Sequence, residues 1–410
     1  MSDNPAGEME NEPVTQKYLG SKGLVVLLAM LSAFIPLSID LYLPALPGMS
    51  KTLNAPVDRV NLTLTVFFVC YAFGMLIWGP LSDKYGRKTI LRTGLVIYCM
   101  ASVGCALSDG ISQLILFRAL QAIGGSGATS VSMAIVKDVY RGRNRETILA
   151  TVQTMVIIAP VVAPVLGAFI LKVTSWHGIF WTLSVFGVIA VALSFLLQET
   201  LVERTPGNPL RALSRLFVVL KNPGFSLLLV TFSMTTIPFL AFIASSSYIY
   251  INGFKLSEQQ YSFFFAANAV FAMLGPMIYI RLSTWLSRRT IIIACFGAVI
   301  LSGVLMLSVG NLLPVIFAMS MIPATMGNTM GRPPSANLML EQQDSDTGSA
   351  SSLIAFSGLT FGSIGMLIIS MKWSSYIFGL GILNVVCGCL SEILWLTISR
   401  RSIIRQVSDE

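Results

Sequence analysis

The sequence predicts an all-α integral membrane protein whose twelve transmembrane helices form two pseudo-repeated six-helix bundles. Three observations lead to this prediction: an apolar composition, twelve apolar windows of membrane-spanning length, and a short pattern that recurs in the second half. The 410 residues are 54% hydrophobic and 11% charged. A typical soluble domain carries about 25% charged residues. Because so few charges cannot cover a soluble surface, most of the surface is expected to face lipid.

The apolar windows define the domain organisation. A bilayer core about 30 Å thick requires about 20 mainly apolar residues per helix. Such windows lie at residues 24–46, 60–81, 89–108, 111–136, 147–171, 176–197, 225–250, 260–282, 289–310, 313–338, 350–371 and 376–398. The longest polar connection separates six windows from six. The expected parts are a tail over 1–23, bundles over 24–197 and 225–398, a linker over 198–224 and a tail over 399–410.

Two further patterns concern the linker and the halves. In the linker, Arg211 and Arg215 lie four residues apart beside an apolar stripe, which predicts a short helix on the membrane surface. Leu81-Ser82 and residues 87–90 recur 201 residues later as Leu282-Ser283 and residues 288–291. Repeated halves are typical of secondary transporters, which bind substrate between the halves near the middle of the membrane.

The distribution of basic residues predicts the orientation. Twenty of the 27 Lys and Arg residues lie in the tails and connections on the side of the N-terminus, and five lie on the other side. Arg118 and Arg332 lie inside windows. Cytoplasmic connections carry the excess of Lys and Arg, so both termini are expected in the cytoplasm. The formal charge of +8 is thereby explained by topology and anionic lipid, and nucleic acid is not an expected partner.

Four segments resemble one transporter family. Residues 79–88 read GPLSDKYGRK, which resembles the signature G-x-x-x-D-x-x-G-R-K/R of the major facilitator superfamily. Residues 118–124, RALQAIG, resemble its R-x-x-Q-G pattern, with Ala122 where Gly is usual. Residues 159–167, APVVAPVLG, resemble the Pro/Gly-rich antiporter motif in a degraded form. Residues 36–47, PLSIDLYLPALP, are similar to drug:proton antiporters of the bicyclomycin-resistance (Bcr/CflA) type.

The resemblance implies roles for the residues that match. Gly79, Asp83, Gly86, Arg87 and Lys88 would form a gating motif on the cytoplasmic side. Asp83 could lie at a helix N-terminus and pair with Arg87, holding the cytoplasmic ends of the two halves together. The two glycines would bracket Asp83 in a tight turn. In the antiporter motif the matching residues are Pro160, Pro164 and Gly167.

Asp40 and Arg118 form the candidate proton-coupling site. Asp40 lies six residues from the outer end of the first window, and Arg118 lies seven residues inside the fourth. At about 1.5 Å per residue both are roughly 10 Å deep on the same side. Ionisable residues at such depth usually face a cavity and pair with each other. An exchangeable carboxylate facing a wet cavity can couple transport to protons; the alternative is a static ion pair that joins two helices.

Arg332 departs from the family pattern. It precedes Pro333 and Pro334, which predict a bend because proline removes backbone donors. Three interpretations remain open: a structural pair with Glu392 at the same depth, a cavity-facing cation that attracts an anionic substrate group, or a side chain that extends to the cytoplasmic surface. Other candidate substrate contacts are Met234, Phe239 and Phe265, because soft and aromatic side chains suit an adaptable pocket, and Tyr42 and Asn268, which could supply polar contacts.

The expected function is proton-coupled efflux of small amphiphilic drugs or toxic compounds across the bacterial inner membrane. The alternative is a dedicated exporter of one metabolite, such as a siderophore or an amino-acid derivative; a lipid translocator or membrane sensor ranks lower. A single His and no ATP-binding G-x-x-x-x-G-K-S/T pattern argue against a metal, a cofactor and enzymatic activity, so the proton gradient is the expected energy source. The expected partners are substrate, protons and lipid, with the monomer as the working unit.

Overall fold

The computed structural model describes residues 16–201, 204, 210–343, 346–399 and 404. These residues form fifteen α-helices, one 3-10 segment and one π segment, and they contain no strand. The helices are α1 Gly20–Asp40, α2 Leu46–Thr52, α3 Val57–Tyr85, α4 Arg87–Ala106, α5 Ile111–Val139, α6 Gly142–Val173, α7 Trp176–Leu196, α8 Leu210–Leu220, α9 Pro223–Ser233, α10 Thr236–Ser247, α11 Glu258–Leu282, α12 Arg288–Val309, α13 Pro314–Glu341, α14 Thr347–Ile369 and α15 Tyr376–Ile398. The 3-10 segment is Leu43–Ala45 and the π segment is Tyr248–Gly253.

The predicted windows coincide with the long helices. Eleven stretches of the described chain are long and apolar enough to cross a bilayer, and two of them, Gly20–Thr52 and Pro223–Gly253, contain more than one helix. The window at 313–338 falls on α13, which has 28 residues but is not among those eleven. The all-α membrane fold is therefore confirmed, and α13 supplies the twelfth long helical segment of the described residues.

Two spans are broken near the centre of the molecule. The first stops being α-helical after Asp40, and Pro44 and Pro47 follow in the 3-10 segment and α2. The seventh is interrupted at residues 234–235, between α9 and α10. Proline removes a backbone donor and disfavours an uninterrupted helix. Discontinuous helices in transporters commonly mark binding sites, because they leave backbone groups free inside the bundle.

The helices pack as two groups joined by two helix pairs. Helices α1 to α7 pack against one another, as do α9 to α15, and α3 with α14 and α6 with α11 connect the groups. We call the face where α1 begins and α15 ends the proximal face, and the opposite face the distal face. On the distal side, Asn61 Nδ2 donates to Ser370 Oγ at 3.0 Å, and Gln259 Nε2 donates to the Ala168 carbonyl at 3.1 Å. The distal ends of the two halves are therefore tied together.

The linker contains the helix that the sequence predicts. Helix α8 packs against α3, α9 and α14, and it exposes Phe217 and Val218. Arg215 forms an ion pair of 3.5 Å with Asp346, which precedes α14. The Arg211 side chain, most of both tails and residues 202, 203 and 205–209 of the linker lie outside the described residues.

Candidate functional site

Asp40 is the last residue of α1 and lies where the two halves meet. Only 5% of its surface is exposed. Among the described residues, no side chain forms an ion pair with its carboxylate, and its oxygens are not fully enclosed. The 3-10 segment Leu43–Ala45, which follows Asp40 closely, contacts α10 and α11 of the second half. Asp40 is thus a buried carboxylate that pairs with no cation in the described part of the chain.

Arg118 lies inside the first half and is fully buried. Its Nη1 donates to the Ser38 carbonyl at 3.0 Å and to Gln121 Oε1 at 2.7 Å. Its guanidinium carbon lies 4.1 Å from the centre of the Phe67 ring and 5.0 Å from that of Tyr42, distances typical of cation–π contacts. Its Nε and Nη2 have no acceptor. Arg118 is therefore a buried cation with unused donors.

The expected Asp40–Arg118 ion pair is not formed in this structure. Because α1 ends at Asp40, the Tyr42 amide donates to the Ile39 carbonyl and leaves the Ser38 carbonyl free. Carbonyls at a helix C-terminus need donors from outside the helix, and Arg118 supplies one. Arg118 is therefore connected to the chain near Asp40 through the Ser38 carbonyl, two residues earlier. The apolar windows did not predict that the helix ends at Asp40.

The antiporter motif packs beside Asp40. A Cβ on Gly167 would lie 2.2 Å from the Leu41 carbonyl oxygen, so only glycine allows α6 to approach the end of α1 this closely. The Pro164 carbonyl accepts a hydrogen bond of 2.9 Å from Ser262 on α11. Pro160 lies one turn earlier and is half-buried. Helix α6 thus links the surroundings of Asp40 to the second half.

The predicted gating motif forms a charged network on the proximal side. Arg87 pairs with Asp83, as expected, and also with Asp138 at 2.8 Å. Glu199 accepts from the backbone amides of Arg87 at 2.9 Å and Lys88 at 3.2 Å. Glu199, not Asp83, therefore binds the N-terminus of α4, where a negative charge is favoured. All these residues belong to the first half and the start of the linker, so the expected bridge between the halves is not formed here.

The gating motif forms a junction between two helices, α3 and α4, and most of its residues are helical. Helix α3 continues to Tyr85, so Asp83 lies in its last turn and Gly79 is helical. Gly86 alone makes the turn, with φ of +98°, a conformation that side chains with a Cβ rarely adopt. Sequence reasoning missed Asp138 and Glu199; their positions at the ends of the fourth and sixth windows were the available signal.

Arg332 lies in the second half, nine residues before the end of α13. Arg332 is exposed, and its guanidinium carbon lies 5.5 Å from the centre of the Phe239 ring on α10. None of the ion pairs formed by the described residues includes Arg332 or Glu392, so the proposed structural pair between them is not formed.

The remaining candidate contacts divide into two groups. Tyr42 is fully buried in the first half, where its hydroxyl pairs with Thr63 at 3.0 Å, so it packs against Arg118 and lines no open space here. The others lie in the second half. Met234 is at the break between α9 and α10, Phe265 stacks on Phe242 at 6.0 Å, and Asn268 accepts a hydrogen bond of 2.9 Å from Thr325.

Comparisons with known proteins agree with this architecture. Two helical halves with a buried carboxylate near their junction are typical of the class of α-helical multi-pass membrane transporters. Residues 26–370 match the family model of the Major Facilitator Superfamily. The chain therefore belongs to that superfamily, as the four sequence segments indicated.

Individual relatives extend over nearly the whole chain. It is 31% identical over 350 residues to an uncharacterised superfamily transporter of Bacillus subtilis, covering 83% of this chain and 87% of the relative. It is 26% identical to a bicyclomycin resistance protein homolog of Haemophilus influenzae, covering 92% and 96%. Among solved structures, a peptide transporter in complex with alafosfalin superimposes with a TM-score of 0.76 at 14% identity, covering 96% and 98%. The resemblance to bicyclomycin-resistance transporters is thereby confirmed.

Proposed function

We propose that this transporter expels small amphiphilic compounds from the bacterial cytoplasm in exchange for protons. The observation that carries the proposal is Asp40, a buried carboxylate near the junction of the halves for which the described residues provide no cationic partner. Leaving an unpaired ionised carboxylate inside a membrane protein is costly, and binding a proton removes that cost. The relative named for bicyclomycin resistance supports a drug as the exported compound.

In this mechanism Arg118 on α5 acts on Asp40 at the end of α1, within the first half. Its Nε and Nη2 are buried donors without acceptors, and an ionised Asp40 could use them once the end of α1 moves. Protonation would remove that attraction and release the carboxylate toward the second half. Since Asp40 is the carboxylate that meets these conditions, we infer one proton per transport cycle.

The distribution of charged residues supports an orientation of the protein in the membrane and a role for the gating motif. We assign the proximal face to the cytoplasm because it carries most of the Lys and Arg residues. The Asp83–Arg87–Asp138 network would then hold α3, α4 and α5 as one rigid cytoplasmic unit. The distal hydrogen bonds of Asn61 and Gln259 would break when the cavity opens to the outside.

The experiment uses inverted membrane vesicles that hold a proton gradient reported by a quenched acridine dye. Adding bicyclomycin should release protons through the wild-type chain and restore dye fluorescence. Asp40→Asn should abolish the release, because the amide cannot take up or lose a proton at neutral pH. Asp58→Asn is the matched control, since Asp58 is exposed near the distal start of α3. It should behave as the wild type.

The variant's folding and binding are measured separately. Asp40→Asn should reach the membrane in normal amount and still exchange labelled bicyclomycin across vesicles without a gradient. Undiminished proton release in Asp40→Asn would contradict the assigned role. If bicyclomycin drives no release in the wild type, a susceptibility screen of a pump-deficient strain expressing the chain identifies a replacement compound; protection against no compound would contradict drug efflux.

A further inference from the structure

We propose that an anion-binding subsite built on Arg332 lies between the halves, and that it binds the negatively charged group of those transported compounds that carry one. This inference rests on the proposed transport function, because it names the substrate class of the same transporter. It chooses one of the three interpretations that the sequence left open for Arg332.

The side of α13 that carries Arg332 faces the interior of the protein. Thr325, Asn328 and Arg332 follow one another at helical spacing, so they lie on the same stripe of α13. Thr325 bonds to Asn268 on α11, and Asn328 Nδ2 donates to the Thr235 carbonyl at 3.1 Å. Helices α10 and α11 both contact the 3-10 segment of the first half. The stripe therefore points toward the junction of the halves and away from lipid.

Arg332 has no charged partner at this position. The nearest described aromatic ring is Phe239, and the ion pairs of the described residues leave Arg332 out. A guanidinium in a membrane-spanning segment is costly unless it pairs with an anion or faces water. Arg332 is exposed although the neighbouring residues of its stripe are buried against other helices, so its five N–H donors are available to a ligand on this side of α13.

A second polar group lies beside it. Asn328 is 6% exposed, and its Oδ1 is buried with no hydrogen-bond donor. Asn328 precedes Arg332 by one turn, and it binds the break between α9 and α10 through Thr235. The subsite thus combines a cation, an unused acceptor, an aromatic face and a broken helix. This set matches an amphiphile with an anionic group attached to an aromatic or apolar body.

The surrounding charges favour an anion. Arg118 in the first half also has unused donors, whereas Asp40 can lose its negative charge by binding a proton. The Arg332 guanidinium and the unused Arg118 donors therefore both favour a negatively charged group in the compound that binds.

The test compares two fluorescent probes with the same aromatic skeleton. Anilinonaphthalene sulfonate is an anion, and phenylnaphthylamine is its neutral counterpart without the sulfonate. Binding is measured to the purified full-length chain in lipid nanodiscs, with the signal of empty nanodiscs subtracted. The wild type should bind the sulfonate more tightly. Arg332→Gln should weaken sulfonate binding by about tenfold and change binding of the neutral probe by less than about twofold, because only the sulfonate loses a charge-assisted hydrogen bond.

Two matched variants complete the test. Arg332→Lys keeps the charge and should retain most of the sulfonate affinity. Arg281→Gln removes an exposed cation from the proximal end of α11 and should change neither affinity. Equal losses of both probes in Arg332→Gln, an unchanged sulfonate affinity, or no preference for the sulfonate in the wild type would overturn the proposal.

The assay separates this inference from the proposed function. Binding is measured without a proton gradient, so Arg332-dependent sulfonate binding in a chain that shows no proton-coupled transport would leave the subsite standing and remove the transport mechanism. The opposite result is proton-coupled transport that depends on Asp40 but not on Arg332, together with equal affinity for the two probes. It would leave the proposed function standing and remove the anion-binding subsite.

Discussion

The α3–α4 and α11–α12 junctions are repeats of one another in sequence but differ in structure. Arg87 and Arg288 are related by the 201-residue offset, and each forms an ion pair of 2.8 Å with an acid near the end of a later helix, Asp138 or Glu341. The Arg87 side chain is 8% exposed, whereas that of Arg288 is 29% exposed. The repeated residues therefore make the same cross-helix contact, but only the first copy is buried.

The two copies also differ in the residues around the arginine. The residue equivalent to Asp83 is Thr284, whose hydroxyl donates to the Arg281 carbonyl. The residue equivalent to Gly86 is Ser287, which caps α12 by accepting from the Thr290 amide at 3.3 Å. At the second junction the helix N-terminus is thus capped by the neutral Ser287. At the first, Asp83 and Asp138 pair with the arginine, and the carboxylate of Glu199 from the linker caps the helix. The comparison teaches that the repeat supplies a common scaffold, and that the buried ionic contacts of the two junctions are concentrated in the first one.

The largest expected effect comes from removing the two arginines. Arg87→Ala leaves the largely buried Asp138 and the half-exposed Asp83 without their cation and should cost about 3 kcal/mol of stability, most of it at Asp138. Arg288→Ala breaks one half-buried pair and should cost about 1 kcal/mol or less. Unfolding of the purified variants in detergent measures both. Equal losses would mean that the two junctions are energetically alike.

The glycines of the first junction should differ from each other. Gly86→Ala must adopt a positive φ and places its Cβ 2.5 Å from Glu199 Oε2, so a loss of about 1–3 kcal/mol is expected. Gly79→Ala meets nothing within 4 Å and lies in a helix, so it should be neutral or stabilise by up to about 1 kcal/mol. The same unfolding assay checks both variants. A marked loss of stability in Gly79→Ala would show that the turn extends over the whole motif.

The smallest expected difference concerns the two helix caps. Glu199→Gln removes the negative charge from the N-terminus of α4 and should cost about 1–2 kcal/mol. Ser287→Ala removes the neutral cap of α12 and should cost about 0.5–1 kcal/mol. Raising the salt concentration should reduce the first effect and leave the second unchanged, because salt screens charges. A salt-independent Glu199→Gln effect would indicate that the charge contributes nothing.

Much of the fold and part of the site could be predicted from local patterns. The apolar windows located every long helix, because the length and polarity of a span are set by the bilayer. The Asp83–Arg87 pair was also predictable, since residues four apart on a helix are neighbours. The linker helix α8 followed from its amphipathic pattern. In each case the interaction is decided by residues close together in the chain.

Contacts between distant segments were not predictable in this way. The partners of Arg118 depend on α1 ending at Asp40, which frees the Ser38 carbonyl. The Glu199 carboxylate meets the start of α4 across 112 residues, and no local pattern links them. Equal depth in the membrane suggested pairs for Asp40 with Arg118 and for Arg332 with Glu392. Depth, however, does not specify the direction in which a side chain points from its helix.

The sequence by itself therefore determined the membrane-spanning helices, the two related halves and the superfamily, because hydrophobic length and short motifs are properties of contiguous residues. Only the tertiary structure decided that Asp40 is buried with no cation among the described residues to pair with it, that Arg118 is held inside the first half, and that Arg332 lies on an inward-facing stripe. These outcomes depend on where helices break and how they rotate against each other, and that geometry is set by packing across the whole bundle.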